Sequence, residues 1–123
     1  MAKTTGLRRY FGAESGNVLL GQLGFDVLEE DDVIVAGVAS GVGSQTVGAL
    51  TGQTTDKDGS GVNCWVTLLC LDDGGDAMAG ISATSQMGDD LEAVTIGDAV
   101  AISGVFTAIK HTHSGGIILA YRG

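Results

Sequence analysis

The sequence predicts an all-β fold: a single small, glycine-rich antiparallel sandwich or barrel with an extended N-terminal arm. Three observations lead there. Glycine occurs 21 times and proline not at all, while the helix formers Lys, Glu, Gln and Arg are sparse. Glycine weakens helix interiors but serves turns, bulges and close strand approach. Short apolar runs recur along the chain, separated by clusters of Gly, Asp and Ser. At 123 residues, 44% of them apolar and 17% charged, the chain can fill one core and is not of disordered composition.

Residues 1–16 form the expected arm, basic and glycine-punctuated without clear periodicity, and residues 17–123 the single β domain. Asn17 to Leu28 mixes apolar residues with Gly21 and Gly24, and its pattern fits a short helix as well as a strand. Glu29-Glu30-Asp31-Asp32 reads as a turn kept in solvent by like-charge repulsion. Val33 to Ala39 is a first β run, and Gln45 to Thr51 a second, reached through a Gly41–Ser44 turn. After the polar loop Gly52–Gly61 comes the strongest strand, Val62 to Leu71. Strict alternation there places Trp65, Thr67, Leu69 and Leu71 on one face. Asp72-Asp73-Gly74-Gly75-Asp76 has hairpin composition and leads into an alternating run, Ala77 to Thr84. Gly88-Asp89-Asp90 breaks the chain, and Ala99 to Ile109 and Ile117 to Tyr121 are the last strands. Five or six strands are expected, without internal repeats.

The N-terminus lacks the apolar stretch of a signal peptide, and no apolar run approaches the roughly 20 residues that span a bilayer. The expected setting is therefore cytoplasmic synthesis, with no membrane partner. Cys64 and Cys70 lie six residues apart in one run, about 20 Å if it is a strand. That exceeds the roughly 7 Å reach of a disulfide, so buried free thiols are expected.

Charge is distributed unevenly. The formal net charge is −9, made of +3 over residues 1–13, −14 over 14–109 and +2 over 110–123. An acidic body thus carries basic ends. The arm residues Lys3, Arg8, Arg9, Tyr10 and Phe11 combine positive charge with aromatic anchors of the kind enriched in interfaces. The body itself is the nearest acidic surface, so copies are expected to bind one another head to tail, and such contacts close into rings or extend as lattices.

Several motifs fall short of a chemistry. Asp56-Lys57-Asp58-Gly59-Ser60-Gly61 resembles the start of a calcium loop, but its twelfth position is Thr67, in a strand rather than a helix. His111 and His113 would share a strand face, yet two ligands do not hold a zinc ion, and an exposed hairpin end is expected for them. Gly41-Val42-Gly43-Ser44-Gln45-Thr46 lacks the lysine and the following helix of a phosphate loop. No nucleophile or zinc-protease signature is present. No enzymatic activity, cofactor, metal or small-molecule substrate is expected.

From Cys64 to Leu119 the layout resembles the OB-fold, a small five-stranded barrel. The stretch Trp65 to Gly74 is similar to its central strand and acidic turn, and Gly97-Asp98-Ala99-Val100-Ala101-Ile102-Ser103-Gly104 to the entry into its fourth strand. That resemblance implies single-stranded nucleic acid as an alternative partner, with Trp65 and Phe106 as stacking platforms. Residues 62–109 hold no Lys or Arg, which disfavours phosphate contacts. The leading expectation is a structural or assembly protein that docks on neighbouring protein subunits. Size, glycine-rich β body and lack of catalytic groups fit a small virion component, such as a phage decoration or cement protein.

Overall fold

A computed structural model describes residues 23–43, 52–71, 78–112 and 115–123, and every regular element in them is a strand. The arm over 1–16, the Gln45–Thr51 run, the Asp72–Asp76 turn and His113 lie outside the described residues. The strands are β1 (Phe25–Leu28), β2 (Val33–Val35), β3 (Trp65–Leu71), β4 (Met78–Ser85), β5 (Leu91–Ile96), β6 (Val100–Lys110) and β7 (Ile117–Arg122). All pairings are antiparallel, in the order β1-β7-β3-β6-β4-β5, with β2 also on β6. No pairing joins β1 to β5, so the sheet does not close into a barrel.

The architecture is the antiparallel all-β one that composition predicts, with differences in detail. In the undecided segment 17–28, residues Phe25–Leu28 are strand. The Val33–Ala39 run stops at Val35, where Ala36 and the positive-φ Gly37 turn the chain. The additional strand is β5. Its sequence Leu-Glu-Ala-Val-Thr-Ile breaks alternation because Ala93 is left-handed (φ 49°) at an irregularity in the β4 pairing.

β6 connects the two halves of the sheet. Over Val100–Phe106 one of its edges pairs with β3, and over Ala108–Lys110 with β2. Its other edge pairs with β4 only from Phe106 to Lys110. The sheet curls about this strand, so that Leu28, Leu68, Cys70, Ile118 and Ala120 from one half meet Ile34, Ile81, Ala83, Ile96 and Ile109 from the other. Each fully buried Leu or Ile among them contributes roughly 1.5–3 kcal/mol of transfer free energy.

The expected shared face of Trp65, Thr67, Leu69 and Leu71 is corrected by a bulge. Pairing to both β6 and β7 shifts register between Trp65 and Thr67. One extra residue moves the parity, so Trp65 joins Leu68 and Cys70 in the core while Thr67, Leu69 and Leu71 face the other way. Trp65 is fully buried, and its Nε1 donates to Asp26 Oδ2 at 2.8 Å. Arg122 donates to the same carboxylate from Nε (2.9 Å) and Nη2 (2.7 Å). Asp26 thereby ties together the first, third and last strands.

Loop positions are equally constrained. Gly59 donates to the Val38 carbonyl and accepts from the Gly37 amide, and a Cβ there would run into the Val35 carbonyl oxygen. Only glycine fits so close an approach of backbone to backbone.

Three substitutions test these contacts. Asp26→Ala leaves the buried indole N–H without its acceptor and should cost about 2 kcal/mol, read by urea denaturation through the single tryptophan. Arg122→Gln should cost less, because that side chain is 36% exposed and solvent screens its charge. Gly59→Ala should lower the midpoint more than an alanine at the open Gly61, since Val35 backbone must shift.

Candidate functional site

The unclosed sheet leaves a cleft of 350 Å³ between the β4–β5 connection and the β6 edge. Its position follows from where β4 stops. Pairing ends at Ser85–Phe106, and the last bond is from the Gln86 amide to the Val105 carbonyl at 2.8 Å. Among the described residues, no strand pairs with the edge of β6 that faces away from β3 over Val100–Gly104. The opposite wall is a fixed turn: the Ser85 amide donates to Asp90 Oδ1 (2.8 Å) and Ser85 Oγ to the Met87 carbonyl (2.9 Å).

The lining is mainly apolar. Leu91 and Ile102 form it together with Val105 and the ring of Phe106, which lies against Gly104 where a Cβ would stand 3.0 Å from it. Met87, at the rim, is 72% exposed. Asp89 is the sole charged residue of the lining.

A second surface meets this cleft at Ser103. The outward-facing rows of the β1-β7-β3-β6 half are Phe25–Tyr121–Thr67–Ser103 and Val27–Leu119–Leu69–Ala101, with Leu71 opposite Ile117. None of these residues carries a charge. Phe25 is half exposed and meets Tyr121 edge to face, ring centroids 5.8 Å apart. An antiparallel sheet with one face in water normally alternates apolar with polar, but the outward face of this half is uncharged, and only Tyr121, Thr67 and Ser103 bring polar atoms to these rows.

The residues singled out from sequence fall unevenly on this geometry. Lys3, Arg8, Arg9, Tyr10 and Phe11 lie outside the described residues. Trp65 and Phe106, the stacking platforms of the alternative reading, are 0% and 3% exposed and present no ring face to a base. The calcium-like loop has its carboxylates engaged with backbone: Asp56 Oδ2 accepts from the Val33 amide and Asp58 Oδ1 from the Ser60 amide. Hydrogen bonding to Ser60 holds the Asp58 carboxyl below its ordinary value. The Gly41 amide donates to the Thr55 carbonyl and the Val42 amide to Thr55 Oγ1, which leaves neither directed at a phosphate. His111 is a correction. It is fully buried rather than exposed, because the Glu29–Asp32 turn exchanges backbone hydrogen bonds with it through Asp31 and Asp32. Among the described residues no group of three or more His, Cys, Asp or Glu is placed to hold a metal. The outward apolar rows were not separable in the sequence from the core, because the β3 bulge decides which leucines face in.

Cys64 and Cys70 are free and buried. Burial pushes both thiols up, Cys70 to about 11 from an ordinary value of 9.0. The native state therefore keeps protons that the unfolded chain gives up above pH 9. The associated stability is complete below pH 9 and declines as pH rises towards 11. Unfolding midpoints measured from pH 8 to 11 should fall across this window, with a shallower slope in Cys70→Ala.

No protein-family model, curated protein or solved structure matches this chain.

Proposed function

We propose that the chain is a non-enzymatic assembly protein that docks on neighbouring protein subunits through its basic N-terminal segment. The observation that carries this reading is the outward face of the β1-β7-β3-β6 half, uncharged and mostly apolar in a chain of net charge −9. Water is a poor solvent for such a face, and polypeptide surfaces are its natural cover. The separation of charge supports the same reading, since the +3 of residues 1–13 complements an acidic body and steers copies together. A repeating shell such as a virion lattice, built from many modest contacts of this kind, suits a module of this size. Burial of Trp65 and Phe106, together with the lack of Lys and Arg over 62–109, weighs against a single-strand nucleic-acid role.

Sedimentation velocity across a concentration series tests the reading. The full chain should form larger species as concentration rises, and a chain lacking residues 1–11 should stay small while keeping its buried-tryptophan emission. Unchanged assembly of the truncated chain would exclude the segment as the docking element.

A further inference from the structure

We infer that the cleft beside β6 is the acceptor for the N-terminal segment of a neighbouring copy, which adds as a strand along Val100–Gly104. This rests on the assembly reading above and names its partner surface. The first argument is the backbone. An unpaired strand edge presents a ladder of amides and carbonyls that templates pairing with another chain. Here that edge borders a cleft wide enough for side chains, with the β4–β5 turn as its far wall.

The second argument is chemical complementarity. The lining offers Leu91, Ile102 and Val105 for apolar contact and Asp89 for charge, with no base. A fitting strand therefore carries both apolar and basic residues and no acid. Within this chain the segment of that description is 1–13, with Leu7, Arg8, Arg9, Tyr10 and Phe11 contiguous.

The third argument is reach. The described chain begins at Leu23, beside Arg122 and Gly123 at one end of the sheet. Eleven residues separate Phe11 from Leu23, an extended span of about 40 Å. A tether of that length is comparable with the diameter of a domain of this size, enough for Phe11 to stand beyond its own copy.

A charge exchange in the full-length chain tests the inference. Asp89 is exposed, so Asp89→Arg should leave the fold intact, and it should weaken self-association at least tenfold in sedimentation velocity. Arg8→Asp with Arg9→Asp should do the same, and all three substitutions together should restore association. Hydrogen exchange adds a backbone readout: amides of Val100–Gly104 should slow on assembly, while those of β5 should not. If Asp89→Arg assembles normally although loss of residues 1–11 abolishes assembly, the cleft is not the acceptor and only the assembly reading survives. If neither change affects assembly, both readings fall. A chain monomeric at every concentration, or a Phe11→Cys/Met87→Cys disulfide forming within single copies independent of dilution, would also overturn the neighbour-copy inference.

Discussion

The structure depends on one strand having more neighbours than two. β6 is eleven residues long, and it pairs with β3 and then β2 along one edge and with β4 over the end of the other. Because partners change near Phe106, the sheet curls there, and its two halves can share a core. Among the described residues, the same change leaves Val100–Gly104 with one edge unpaired. Closure of the core and opening of the cleft are thus a single geometrical event, and neither can be altered without the other.

Much of the architecture was legible in the sequence. β3, β4, β6 and β7 were visible as apolar runs closed by glycine and aspartate, because strand periodicity there is nearly regular. Irregularity hid the rest. β5 went unseen because left-handed Ala93 breaks its alternation, and the β3 face was inverted because the bulge at Val66 leaves no mark in composition. His111 was read as exposed from its glycine-rich surroundings, whereas a turn about 80 residues earlier in the chain covers it. Local pattern reports which residues are strand, but burial is set by partners distant in sequence.

The site was less legible than the fold. Trp65 and Phe106 drew notice as aromatics, yet their burial assigns them to the core and to the cleft floor. The cleft depends on where β4 stops pairing, and the outward apolar rows depend on register across four strands. Neither property belongs to a motif. The charge layout, by contrast, needs no coordinates, and Asp89 at the cleft lies within the acidic body that it describes.

The position of β7 has a consequence for how the chain is made. This strand is the last to be synthesised among those described, yet it lies between β1 and β3 and its Arg122 completes the Asp26 cluster. Among the described strands β1 pairs only with β7, so that pairing waits until some 90 further residues have emerged. The pairings among β2, β3, β4, β5 and β6 need no residue of β7, but the β1–β7–β3 side of the sheet cannot form in step with translation. That side is complete only once Ile117–Arg122 have been made, so its pairing is the late, high-contact-order step of folding.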